Sequence, residues 1–407
     1  MTKLNKPRLW IVSELYYPED TSTGYILTKI AEGLASKFSV FVLCCQPTYS
    51  QRGVKSPKKE IKNDVCIKRC FSTLFSKDSI IKRLINATSF CFSLFFTLLF
   101  CLKKNDKLLV VTNPPIVVFF TFSVCWLRRV PMILLVHDVY PDVLTTLKIL
   151  SKQSIIVKVW RFLNQQILKR CSKVITIGRD MRQKLINEYG APSNQSFVVP
   201  NFADLENITP QDRNRNPTLI DLGLQNHFVI QNAGNIGPTH DVNLIIHSAE
   251  KLAISNPEIV FLFIGSGRKK DYLDCKIKEM QIKNIISLPS QPRGKSCEFL
   301  NACDISLSVF IDGMNGVSVP SRSYNIMASG KPILAVTDFE SELALMVQEE
   351  RIGWVVAPND VNGFVSTCLN IYNQRDILPE MGKRARIVAE TKYSLDKIIQ
   401  LFGDCLK

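Results

Sequence analysis

Histidine is scarce in this chain, and no two aspartates stand in the D-x-D spacing that clamps a divalent cation. The four histidines, His137, His227, His240 and His247, lie far in sequence from Cys66 and Cys70, the cysteine pair nearest a ligand spacing. No structural-zinc pattern follows. The 13 cysteines are scattered and odd in number, which speaks against a disulfide framework and for a reducing compartment. No basic, apolar and small-residue order of a secretory leader opens the chain, so a cytoplasmic location is expected. The G-x-G-x-x-G dinucleotide fingerprint is missing. No stretch interleaves aromatic with basic residues as a base-stacking surface does, so nucleic acid is not an expected partner.

Positive charge is plentiful but lopsided. Residues 1–200 hold 30 Lys and Arg against 12 Asp and Glu, a net +18, while residues 201–407 hold 21 against 24, a net −3. A basic half joined to a near-neutral one suggests that the first half meets a polyanionic surface. The uncharged run from Ile85 to Leu102 inside "INATSFCFSLFFTLLFCLKK" just reaches spanning length. Ser89, Ser93 and Thr97 mark one polar face of a helix otherwise made of Phe, Leu and Cys. A single span would strand the preceding strands and helices across a bilayer, so a buried or interfacial helix is the expectation. Lys77, Lys82, Arg83, Lys103 and Lys104 flank it, and an anionic membrane surface suits such flanks.

With 407 residues, two domains are the default. Short apolar runs alternate with helical patterns: "RLWIVSEL", "SVFVLCC", "KLLVVTN", "VPMILLVH", "KVITIG" and "SFVVPN", then "FVIQNAG", "IVFLFIG", "NIISLP", "DISLSVF", "KPILAV" and "IGWVVAP". This order predicts an α/β fold of two doubly wound, Rossmann-like domains with parallel sheets, facing one cleft. The expected boundaries are 1–205, a polar Pro- and Asn-bearing linker over 206–226, 227–390, and a terminal helix over 391–407 that crosses back to the first domain.

Parallel sheets place ligands at the carboxyl ends of their strands. After the first strand, "PEDTSTG" brings Gly24 to a helix start, where backbone amides approach an anion. "HDVYPD" delivers His137 and Asp138 together from a strand end. "NAGNIGPTHD" frames Asn235 between Gly234 and Gly237 and leads to His240, and "FIGSGRKK" turns through Gly265 to Arg268. In "GVSVPSRSYNIMASGKP", Ser321 is predicted to cap a short helix that has Arg322 in its first turn and ends at Gly330. A helix start without carboxylates beside an arginine suits an anion.

Taken in order, "PEDTSTG", "TNPPIVVFF", "HDVYPD", "VVPNFAD", "AGNIGPTHD", "FLFIGSG" and "PSRSYNIMASGKPILAV" resemble the GT-B glycosyltransferases of family 4 over essentially the whole chain. The finer likeness is to bacterial enzymes that add N-acetyl-L-fucosamine or a related amino sugar during O-antigen or capsule assembly.

That resemblance implies a UDP-sugar donor in the second domain, with no other cofactor and no metal, and an undecaprenyl-diphosphate-linked glycan acceptor in the first. It places the protein peripherally on the cytoplasmic face of the inner membrane. Transfer with retention is implied, the leaving phosphate taking the acceptor's proton. Asn235 falls where the family usually has arginine and His240 near its usual lysine. The family's two glutamates fall on Val317 and Asn325: the Asn325 amide is a neutral substitute toward the ribose, whereas valine offers the donor sugar no hydrogen bond, which fits a 6-deoxy sugar. The Ser318 to Arg322 turn, with His240 and the Gly24 amide, is then expected to stabilise the departing phosphate. His137 would orient the donor sugar and Asp138 serve the acceptor side. Two other readings stay open at the level of sequence, a non-catalytic membrane-docking partner subunit and a UDP-sugar epimerase.

Overall fold

The computed structural model describes residues 6–48, 53–76 and 79–407. They form two compact units. The first comprises the described residues up to Asp142 with Leu150–Pro200 and Leu395–Lys407, and the second Val143–Ile149 with Asn201–Ser394.

The first unit is built on β1 (Arg8–Val12), β2 (Ser39–Cys44), β3 (Lys59–Lys62), β4 (Val65–Arg69), β5 (Lys107–Val111), β6 (Met132–Val136), β7 (Lys173–Thr176) and β8 (Ser196–Val198). Their order across the sheet is β3-β4-β2-β1-β5-β6-β7-β8, parallel throughout except for β3. The central strands read as unbroken apolar runs because helices cover both faces. Leu108 to Val111 and Met132 to Val136 are all buried. The order reverses between β1 and β5, so the loops after those strands flank a topological switch point, where doubly wound sheets bind ligands. The terminal helix Leu395–Cys405 packs on the helix Ser22–Leu34. A Cβ on Gly33 would stand only 2.0 Å from Ile399 Cδ1.

The helix Ile80–Cys101 explains its own polar stripe. Ser89 Oγ accepts from Thr73 N–H at 2.9 Å, Ser93 Oγ accepts from Phe71 N–H at 3.0 Å, and Asn86 both accepts from Phe75 N–H at 3.1 Å and donates to Phe75 O at 2.9 Å. The polar side chains therefore satisfy the backbone of the 71–75 segment, which would otherwise run unpaired along the helix. Phe90, Cys91, Leu94 and Leu98 are buried, while Phe92, Phe96 and Phe100 are 53%, 55% and 81% exposed. The helix starts five residues before the uncharged run, and its flank Lys77 lies outside the described residues.

The second unit has β9 (Phe228–Ala233), β10 (Ile259–Ile264), β11 (Ile285–Leu288), β12 (Ile305–Val309), β13 (Ile333–Val336) and β14 (Gly353–Val356) in the order β11-β10-β9-β12-β13-β14, all parallel. Two apolar layers sandwich this sheet. Its switch point lies between β9 and β12. The segment 206–226 is not a free linker. Asn216 caps a short helix, Pro217–Asp221, with Pro217 in its first turn, and Leu219 and Leu224 are buried in the second unit's core. Asn followed by Pro reads as a loop signal, yet the same pair starts helices.

Candidate active site

At the switch point of the second unit two glycine loops lean on one another. Ile236 N–H donates to Ser266 O at 2.7 Å and Lys269 N–H to Ile236 O at 3.0 Å. The contact is possible only without side chains. A Cβ on Gly265 would lie 1.8 Å from Gly234 O, and Gly267, at φ +139°, would place one 2.5 Å from Ile236 O. Gly265→Ala should therefore force the loops apart at a cost of about 3 kcal/mol. Thermal unfolding should show a lower midpoint.

Arg322 projects from the first turn of the helix Arg322–Ala328 into this pair of loops. Its Nη1 donates to Asn232 Oδ1 at 2.7 Å, and its Nη2 donates to Asn235 O at 2.5 Å and His240 Nε2 at 2.8 Å. A guanidinium only donates, so Nε2 receives Arg322, while Nδ1 lies between Gly237 N–H at 3.0 Å and Gly237 O at 3.2 Å. Burial first, and the Arg322 cation second, hold His240 well below the usual histidine range. The imidazole is neutral at pH 7. Desolvation pulls Arg322 down to about 10, which still leaves it a cation. Among the described residues no carboxylate lies within ion-pair distance of it.

The sequence reading is corrected here in several places. His240 supplies no positive charge; the second cation is Lys269, whose Nζ donates to His240 O at 2.5 Å and whose pKa is lowered chiefly by burial. Arg268, the expected cation of that turn, is exposed. Three consecutive basic residues in "GRKK" gave no basis for choosing among them. Asn235 contributes its carbonyl to Arg322, so the charge missing at 235 arrives from 322. Asn232, a polar residue at the end of an apolar strand, is the positioning residue that sequence reasoning missed. Two adjacent amides, Gln231 and Asn232, ending an otherwise apolar run in "FVIQNAG" were the available signal. Asn325 Oδ1 accepts from Asp204 N–H at 3.1 Å, so much of its amide is spent on holding the 201–205 segment. Val317 is 2% exposed and belongs to the core, with its N–H on Met314 O. Ser318 and Ser321 are half-buried, and Ser321 sits at the N-cap position without a side-chain cap bond. Ser323 Oγ holds Pro320 O instead, at 2.7 Å. Gly237 is buried, with its N–H against His240 Nδ1 at 3.0 Å. Gly330 ends the helix at φ +65°.

In the first unit, His137 and Asp138 follow β6 directly. His137 N–H donates to Thr112 Oγ1 at 3.1 Å, and Thr112 Oγ1 donates to Asp138 O at 3.4 Å. The loops after β5 and β6 are thereby tied together. Burial pushes the His137 imidazole down to about 4. Its folded value lies below the roughly 6.5 of an unfolded histidine, so the unfolded chain takes up the proton first. This contribution to stability is complete above about pH 6.5 and is lost as the pH falls toward 4. His137→Gln should shed that part of the acid sensitivity, read as a smaller drop in melting temperature across the window. Gly24 is a correction. Its N–H donates to the capping Thr21 Oγ1 at 3.3 Å, and a Cβ there would meet Glu19 O at 2.7 Å. The glycine serves close packing, and its amide is not free for a phosphate. Among the described residues no group of three or more His, Cys, Asp or Glu is placed to hold a metal ion.

The two halves match two described domains. Residues 221–388 match "Glycosyl transferases group 1" and residues 26–207 match "Glycosyltransferase Family 4". Together these matches cover most of the chain, and the protein belongs to the group 1, family 4 type of glycosyltransferases with the GT-B fold. It is 27% identical to WbjE of Pseudomonas aeruginosa, named as a glycosyltransferase, over 98% of both chains. It is 24% identical to WcaI of Escherichia coli, named for colanic acid biosynthesis, over 95% of this chain and 96% of that one. Among solved structures, Anabaena Alr3699/HepE in complex with UDP and glucose superposes with a TM-score of 0.74 at 13% identity, covering 98% of this chain and 99% of that one.

Proposed function

We propose that this glycosyltransferase acts in bacterial surface-polysaccharide assembly, moving an amino sugar from its UDP derivative to a lipid-linked glycan at the cytoplasmic face of the inner membrane. N-acetyl-L-fucosamine is the particular sugar we favour. The observation that carries the donor half is Arg322, a desolvated cation without a carboxylate partner, set with Lys269 against two glycine loops. A half-buried charge without a counterion is costly. A diphosphate repays that cost. The UDP complex of the similarly folded Anabaena protein supports the same donor class, and the names of the bacterial relatives support the glycan context.

In the proposed reaction the bond from the sugar's C1 to the diphosphate oxygen breaks and negative charge grows on the leaving phosphate. Arg322 and Lys269 are already aimed there, so they favour the transition state over the ground state. A phosphate oxygen takes the proton of the acceptor hydroxyl as the new C1–O bond forms on the same face, with retention and without a metal. Val317, buried where a hydrogen-bonding glutamate is usual by resemblance, suits a sugar lacking a hydroxyl.

The test is to incubate membranes carrying lipid-linked N-acetylglucosamine with a panel of UDP-sugars and weigh the lipid product. The reading predicts the addition of one deoxy amino sugar. Turnover of free UDP-sugar with no lipid product would point to an epimerase, and UDP binding with no turnover of any kind to a docking subunit.

A further inference from the structure

The stretch "HDVYPD" ends in an acid that the proposed reaction leaves without a task. Asp142 is only 5% exposed, yet its carboxylate is ringed by donors. Arg161 Nε donates to its Oδ1 at 3.1 Å and Arg161 Nη2 to its Oδ2 at 3.0 Å, a bidentate fork. Tyr189 O–H donates to Oδ1 at 3.0 Å, and Lys184 Nζ stands 3.4 Å from Oδ2. Burial first, and the Asp142 carboxylate second, hold the Tyr189 phenol well above its usual range, so it keeps the proton it donates. Arg161 Nη2 also meets Glu188 Oε2 at 2.7 Å. Arg161 belongs to the helix Ile155–Leu168, and Lys184, Glu188 and Tyr189 to the helix Arg179–Tyr189. Two helices thus converge on one acid.

Replacing a buried ion pair by well-packed apolar side chains is often neutral or stabilising, so stability alone does not account for this one. What charges add is direction. The 137–142 loop is fastened at several points: His137 N–H and Asp138 O are joined through Thr112 Oγ1, Tyr140 O accepts from Asn164 Nδ2 at 2.7 Å, and the Tyr140 ring stacks on Trp160. Asp142 closes the series. Packing does not fix the loop by itself, because a void of about 40 Å³ lies behind it, lined in part by Thr112, Val136, Asp138, Tyr140, Trp160 and Tyr189. The chain also leaves the first unit directly after Asp142 and re-enters it at Leu150. Asp142 is therefore the last residue by which that unit holds the loop.

We infer that Asp142, gripped by Arg161 and Tyr189, is a positioning residue for the transfer, setting where the 137–142 loop presents His137 and Asp138 to the substrates. The inference rests on those two residues serving the transfer, as the resemblance implies. A displacement of about 1 Å at groups of this kind costs about a hundredfold in rate.

The test pairs steady-state kinetics with histidine NMR on the full chain. Asp142→Asn keeps the shape of the side chain but removes its charge and one acceptor, and should lower kcat about ten- to hundredfold while KM for the UDP-sugar and the affinity for UDP stay within about twofold. Arg161→Lys, which returns a charge without the fork, should keep more activity than Arg161→Leu. Tyr189→Phe, which drops one donor and keeps the ring, guards against misfolding and should lower kcat about tenfold in the same pattern. The NMR readout is one that a merely structural role would not move. Burial holds the His137 imidazole at about 4, so its signal, identified by its loss in His137→Gln, should stay still between about pH 5 and 7 in the wild type. In Asp142→Asn it should titrate there, because a loosened loop admits water to the ring, while His227, His240 and His247 keep their wild-type behaviour. The inference is overturned if either kcat or the His137 signal is unchanged in Asp142→Asn, or if UDP affinity falls in step with kcat and all four histidines shift together. Should the wild type transfer no sugar, the proposed function fails, while the histidine spectrum still decides whether Asp142 sets the loop.

Discussion

Arg322→Ala lowers kcat/KM by on the order of a thousandfold, the size expected when a fixed donor to a developing anion is removed from a desolvated site. The fold should register far less. The loss of one hydrogen bond to buried Asn232 costs about 1 kcal/mol, partly offset because a desolvated cation is removed with it. Arg322→Lys separates charge from geometry. A lysine cannot reach Asn232 Oδ1, Asn235 O and the anion together as a planar fork does, so it should recover only part of the activity. Steady-state kinetics beside thermal unfolding measures both. Turnover unchanged by alanine would remove Arg322 from the chemistry.

The double substitution Phe92→Asp with Phe96→Asp weakens binding to anionic vesicles at least tenfold while leaving soluble UDP binding intact. Both rings are more than half exposed on the helix Ile80–Cys101, whose opposite face buries Phe90, Cys91, Leu94 and Leu98 in the unit. The helix is long and apolar enough to cross a membrane by length and composition, but its polar stripe is spent inside the unit. On the proposed membrane reading the exposed Phe92, Phe96 and Phe100 would meet lipid, and Lys82, Arg83, Lys103 and Lys104 would each add about 1 kcal/mol near an anionic surface. Vesicle sedimentation should show salt-sensitive association in the wild type, at least tenfold weaker in the double variant. A protein freed from membranes only by detergent would indicate a spanning helix instead.

The sequence made twelve of the fourteen described strands legible, because unbroken apolar runs ending in Gly, Pro or polar residues are what a covered parallel sheet requires. It hid β3 and β4. Charged residues fill most of "KEIK" at the sheet edge and close "VCIKR" beside it, so neither is an unbroken apolar run, and the Asn63-Asp64 turn between them, with φ of 46° and 62°, was the overlooked hairpin signal. The site was half legible for a related reason. Spacing locates loops, but it does not say which side chain bends back into them. Arg322 was identified from its helix start, yet its union with Asn232 and His240 joins residues about ninety positions apart, which no local pattern encodes. Gly24 misled because a glycine at a helix start serves close packing as readily as anion binding, and only the Thr21 cap decides between them.

Calorimetric titration of the purified protein with UDP is the most direct measurement of whether the second unit's two cations exist to hold a diphosphate. Saturable binding that Arg322→Ala and Lys269→Ala each weaken at least tenfold is the expected result. Absence of heat with UDP and with every UDP-sugar, or binding indifferent to both substitutions, would contradict the account.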